Sequence, residues 1–126
     1  MKIIDISTPN VLVDYEKLIK NIEEMSNFAK VYGKNLRPMI KTHKSVEISK
    51  IQQKYGITGI QCAKLSEAEV FSDNGLDDIF ISSELVDCIK LERAKKLSKI
   101  LNKLILAVDS LEGIRNLSEV FKKEKI

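Results

Sequence analysis

Tryptophan is absent from this chain, histidine occurs once, proline and cysteine twice each, and glycine five times in 126 residues. Each shortage excludes something. A single histidine cannot build a His-rich metal centre. Cys62 and Cys88 stand too far apart for the paired spacing of a zinc site. They read as two free, buried thiols of a reducing cytoplasm. The glycines are isolated, so there is no G-x-G-x-x-G and no Walker loop, and neither G-x-S-x-G nor H-E-x-x-H occurs. No apolar run approaches the roughly 20 residues of a membrane-spanning helix. The opening "MKIIDISTPNV" lacks the apolar core and cleavage site of a secretory leader. A cytoplasmic protein without a membrane partner is expected. An excess of one charge is missing too. The 21 basic and 18 acidic residues are intermixed, whereas nucleic-acid binding needs a basic stripe, so no nucleic-acid partner is expected.

What is present is the ordinary composition of one globular domain, 44% hydrophobic and 31% charged. Patterning alternates between short apolar runs and helical stripes. Residues 11–13, "VLV", read as a short strand. From Asp14 to Gly33 a stripe of Tyr15, Leu18, Ile19, Ile22, Met25, Phe28, Ala29 and Tyr32 predicts a helix, with Asp14 as its cap and Gly33 as its stop. "LRPMI" reads as a strand that Pro38 confines to an edge or a strand start. A helix over 46–55 ends at Gly56. "ITGIQCA" is a strand, followed by a short helix opened by the S-x-x-E capping box Ser66–Glu69 and closed by Asn74-Gly75. "DDIFIS" is the next strand. A helix over about 86–101 turns Ile89, Ala94, Leu97 and Leu101 inward. "LILAVD" is the last strand, and a helix over 111–121 presents Leu111, Ile114, Leu117 and Phe121.

The strands near 36, 58, 78 and 104 are spaced by roughly 20 to 26 residues, the length of one βα unit. Continuous apolar strands between helices predict parallel pairing. The fold class is therefore α/β, either an open sheet or the first half of a (β/α)8 barrel, which takes about 250 residues when whole. A half-barrel would leave an unpaired edge after residue 108, which invites association.

In such folds functional groups gather where strands end. Those positions hold Lys41; Gln61, Cys62 and Lys64; Ser82, Ser83 and Glu84; and Asp109 and Ser110. Lys41 stands out, because an apolar strand ends on it in "LRPMIKTHKSVEI". Position alone leaves two readings. Either Lys41 snorkels to water, or desolvation lowers its pKa and frees a nucleophilic amine for Schiff-base chemistry. His43 is either an acid/base group or a loop residue without a role. Arg37, four residues before Lys41, either adds positive potential that helps keep Lys41 unprotonated or lies plainly on the surface.

Four stretches resemble one family. They are "TPNVLVDYEKLIKNIEEM", "LRPMIKTHKS", "GITGIQCAKLSEAEVFSDNGLDDIFISSELV" and "LILAVDS". Together they are similar to the N-terminal part of the D-threonine aldolase and D-serine dehydratase family, alanine-racemase-like enzymes that use pyridoxal 5'-phosphate. The R-P-x-x-K-T-H-K string at Arg37–Lys44 and the block "AKLSEAEV" carry most of the likeness. The resemblance implies a (β/α)8 barrel followed by a β-rich C-terminal domain, with residues 1–126 forming the front of the barrel. It implies that Lys41 holds the cofactor as an imine, with His43 assisting or lining the pocket; Arg37 and Gln61, from their positions, are the further candidate cofactor contacts. Any divalent metal would take its ligands outside this chain. The implied substrate is a D-β-hydroxy amino acid, cleaved as by an aldolase or dehydrated, in an enzyme that works as a homo-oligomer. Racemisation on the same fold and a truncated, non-catalytic barrel are the alternatives. Many relatives carry histidine after R-P, where this chain has Met39.

Overall fold

The computed structural model describes residues 3–122. A single turn of 3-10 helix at Ile3–Asp5 precedes α1 (Tyr15–Val31). A second such turn, Ile40–Thr42, leads into α2 (Val46–Lys54). Then come β1 (Ile60–Cys62), α3 (Leu65–Asp73), β2 (Asp78–Ile81), α4 (Cys88–Ser98), β3 (Lys103–Leu106) and α5 (Leu111–Phe121). The three strands are parallel in the order β1-β2-β3, the order that successive right-handed βα units produce.

"LRPMI" does not make a full strand. It contributes one parallel bridge, Met39 to Gln61, with the Gln61 N–H donating to the Pro38 carbonyl at 2.8 Å. Pro38 has no N–H to give, and the chain curls at once into the turn at Ile40, so pairing stops there. Residues 11–13 are not a strand either. They join no sheet, and Val11 is 88% exposed.

Four of the five α-helices start on a side chain that satisfies an otherwise unpaired backbone N–H. Asp14 accepts from Lys17, Ser45 from Ile48, Asp87 from Lys90 and Ser110 from Gly113. For α3 the expected Ser66–Glu69 box is displaced by two residues. Glu67 instead accepts from the backbone N–H of Ala63 and Lys64, at 2.9 and 3.2 Å. Leu65 is buried, which draws the helix start ahead of Ser66. That releases Glu69, which grips Arg93 of α4. Gly75, at φ +87°, turns the chain out of α3 in a conformation L side chains rarely adopt.

The core lies between the sheet and its helices. Ile60 and Cys62 of β1 and Ile79 and Ile81 of β2 are fully buried against Leu65, Ala68 and Phe71 of α3 and Leu91, Ala94 and Leu97 of α4. Burying each such aliphatic side chain stabilises by about 1.5–3 kcal/mol. Ile89 is not part of this face. It is 71% exposed while Leu91 is 2% exposed, because Ile89 lies five residues from Ala94, about 140° around the helix. On α5, Leu117 and Val120 pack inward, but Leu111 and Ile114 are exposed. They stand on the far side of β3, where no further strand follows among the described residues. On α1, Ile22, Ser26 and Ala29 are the buried positions, while Tyr15, Met25, Phe28 and Tyr32 remain exposed.

Alternation along the strands leaves a second face without helices. Register aligns its residues in rows. Met39, Gln61, Phe80 and Ile105 form one row. The last rungs, Cys62–Ile81 and Ile81–Leu106, are closed by the Ser82 N–H donating to the Cys62 carbonyl and the Ala107 N–H to the Ile81 carbonyl. Ala63, Ser82 and Ala107 are the next residues along the three strands, and alternation turns them toward the open face at the C-terminal ends. This layering of inward residues is that of a barrel interior.

Candidate functional site

Lys41 sits where the edge segment leaves the sheet, two residues beyond Met39 and exposed. Its amine makes no ion pair with any described residue, whereas Lys17, Lys44 and Lys90 each have a carboxylate partner. The backbone around it is tightly tied. The N–H groups of His43 and Lys44 both donate to the Ile40 carbonyl, at 3.2 and 2.8 Å. Ile40 is fully buried and anchors the turn in the core. Lys44 adopts φ +50°, a left-handed conformation that costs a non-glycine residue roughly 1–3 kcal/mol unless its surroundings impose it. Its amine lies 4.0 Å from Glu67, the carboxylate that caps α3. The Lys41 loop is thus braced against the β1–α3 connection.

His43 takes part in that bracing. Its Nδ1 accepts a hydrogen bond from the Ser45 N–H at 3.0 Å, just before α2. The neutral ring therefore carries its proton on Nε2, and Nε2 is buried without a partner among the described residues. Burial lowers the His43 pKa. In this arrangement His43 ties the loop to the start of α2 through Nδ1. The linkage has a definite sign. A histidine whose folded pKa lies below its unfolded value stabilises the fold above about pH 6.5 and loses that contribution as the pH falls. As His43 is the lone histidine, the melting temperature is expected to fall between pH 7 and pH 5.5, and to fall less in His43→Gln. Equal slopes in thermal melts of the two proteins would refute this.

Arg37 is not beside Lys41. Its guanidinium lies at the opposite, N-terminal end of the sheet. Nη2 stands 2.7 Å from Asp78 Oδ1, and Nη1 donates to the carbonyls of Ile60 and Asp78, each at 3.2 Å. A charge neutralised there does not influence the lysine, so the expected electrostatic help from Arg37 is absent. Gln61 is well placed. It stands mid-row on the open face, half-buried, and its carboxamide makes no hydrogen bond to a described residue. Cys62, also at a strand end, points into the helix side, where burial, with a smaller contribution from Glu67, pushes its thiol up to about 12. Cys88 is not buried as expected but exposed at the start of α4. Ser82 uses its hydroxyl on the Cys62 carbonyl at 3.2 Å. Ala63 and Ala107 carry no signal in the sequence, because alanines are silent until the strands place them on one face.

A barrel-type sheet with an unpaired lysine on its C-terminal rim defines a class, and the family comparison agrees. Residues 13–126 match the model of the alanine racemase N-terminal domain, and the chain belongs to that family. The 3-hydroxy-D-aspartate aldolase of Paracoccus denitrificans is 34% identical over 94% of this chain and 31% of its own length. The D-threonine aldolase of an Arthrobacter species is 33% identical over 90% of the chain and 30% of its own. Among solved structures, a D-threonine aldolase from Filomicrobium marinum superposes with a TM-score of 0.92 at 35% identity, covering 96% of this chain and 32% of that one. A D-threo-3-hydroxyaspartate dehydratase from Delftia sp. HT23 superposes at 0.87 with 30% identity, over 94% of this chain and 31% of that one. The chain therefore spans about a third of the length of these relatives. Pyridoxal phosphate, which this family implies, needs an amine for its aldehyde and room for a flat ring. The residues present fit: Lys41 would supply the amine, and the open face carries an unpartnered carboxamide at Gln61 and small side chains at its C-terminal end.

Proposed function

We propose that this chain is the front part of the barrel of a pyridoxal-phosphate-dependent lyase acting on D-β-hydroxy amino acids. The observation that carries the reading is Lys41, unpaired and exposed at the C-terminal rim, in a chain whose relatives are named as aldolases and dehydratases of such substrates. Lys41 Nζ would hold the cofactor. Gln61 would face it from the floor of the open face, and His43 would keep the loop in place. When bound, the cofactor supplies an electron sink for the electrons left at the substrate α-carbon. Lys41, displaced by the substrate's amino group, would be the base at that carbon where dehydration requires loss of its proton. In this reading the rest of the barrel, the β-rich domain and the ligands of any divalent metal belong to the longer protein, and its partners are a small amino acid and further copies of itself. No group of three or more metal-ligating side chains occurs among the described residues. No helix among them is long and apolar enough to cross a membrane.

The test is a product assay of the longer protein with pyridoxal phosphate and D-threonine or D-serine; this chain alone is expected to turn over little, because half of the barrel lies outside it. Glycine with acetaldehyde is expected from aldol cleavage, or ammonia with a 2-oxo acid from dehydration. Conversion to the L-isomer without cleavage would overturn the lyase reading in favour of a racemase.

A further inference from the structure

The two rows on the open face differ sharply in size. The row through Met39, Gln61, Phe80 and Ile105 is large. The row one step nearer the strand ends, level with the exit that carries Lys41, holds only Ala63, Ser82 and Ala107. On β2 and β3 the helix-covered face shows no such step, because bulky side chains run along it to the last strand residue: Ile79 and Ile81, Leu104 and Leu106. In the upper row the hydroxyl of Ser82 is turned onto the Cys62 carbonyl at 3.2 Å, so it too adds little bulk. The result is a ledge. Large side chains make its floor, and the edge segment paired to β1 carries Lys41 at the same end of the sheet.

We propose that Ala63 and Ala107 are size-selecting residues, whose missing bulk creates the space in which the flat ring of pyridoxal phosphate lies. This deepens the proposed function and rests on it. Both alanines lie at the ends of strands and are only half-buried. Their Cβ atoms alternate away from the helix side, so added side-chain atoms enter the ledge and leave the packed core untouched. Their backbones are held by main-chain bonds that a substitution retains: Ala107 N–H to the Ile81 carbonyl, and Ala63 N–H to the Glu67 carboxylate. Bulk on these positions therefore acts on the ligand by exclusion. Affinity in such a pocket depends on shape, and overlap of even a few atoms with a rigid ring is not relieved by small adjustments.

The experiment measures pyridoxal phosphate fixed to the Lys41 peptide by borohydride, counted by mass spectrometry, in the unaltered protein, Ala63→Leu, Ala107→Leu and the conservative Ala63→Gly and Ala107→Gly. Thermal melts monitored by circular dichroism accompany each. The expected result is at least a tenfold loss of incorporation in the leucine variants at unchanged melting temperature, with incorporation retained in the glycine variants. Full incorporation in both leucine variants, with the unaltered protein labelled, overturns the ledge and leaves the lyase reading intact. Loss in the glycine variants as well overturns it too, because bulk would not be the cause. An unlabelled parent protein overturns both readings together. If a leucine variant melts early, the free pyridoxal analogue without phosphate, titrated against the other variant, decides the matter: equal binding to variant and parent overturns the ledge.

Discussion

Replacing Lys41 with alanine is expected to abolish covalent retention of pyridoxal phosphate and to lower turnover by about two orders of magnitude or more. The fold should be left almost unchanged. Lys41 is exposed and engages no carboxylate among the described residues, and surface substitutions of that kind usually stay within about 0.5 kcal/mol. The turn that presents it depends on other groups: buried Ile40, its carbonyl shared by two N–H donors, and the His43–Ser45 contact. Function and stability should therefore separate cleanly at this position. Retention is read by borohydride labelling and stability by a thermal melt. Full labelling of Lys41→Ala would mean that another amine holds the cofactor. A large loss of stability would mean that the lysine supports the loop.

The largest effect on stability is expected at Gly59, where alanine should cost about 3 kcal/mol or more. A Cβ at this position would stand 2.6 Å from the Asp78 carbonyl oxygen and 2.7 Å from Asp78 Cγ, and would also meet Arg37 Nη1. These are the groups of the Arg37–Asp78 pair that closes the N-terminal end of the open face. The Arg37 guanidinium is the end of a flexible chain and can move. The Asp78 carbonyl is backbone and cannot, because β2 is pinned from both sides in register with β1 and β3. For this reason Arg37→Ala should not rescue Gly59→Ala. Chemical denaturation of the three proteins checks both statements. A midpoint for Gly59→Ala close to that of the parent would show that the strand yields more easily than its pairing implies.

Much of the framework was readable before any coordinates. The caps Asp14 and Ser66's neighbourhood illustrate both success and failure. Asp14 opens α1 as its side-chain chemistry demands, since one carboxylate next to free N–H groups is a local event. The box on Ser66 failed because a distant requirement, burial of Leu65, moved the helix start and gave the role to Glu67. The same contrast holds for apolar stripes. Ala94, Leu97 and Leu101 pack as periodicity predicts, but Ile89 does not, because the true face runs through Leu91. Leu111 and Ile114 are legible as one helical face, yet what that face meets is not written in the helix.

The site divides in the same way. The alternation of βα units and the parallel sheet follow from local pattern, because periodicity is a property of short segments; the strand expected before Lys41 shrank to one bridge. Only the tertiary structure decided that Arg37 belongs to Asp78 and not to Lys41, that His43 gives its lone pair to Ser45, and that Ala63 and Ala107 share a face. Those outcomes depend on register between strands about twenty or more residues apart. Register follows from which faces the helices cover, a sum over the whole core that no single segment contains.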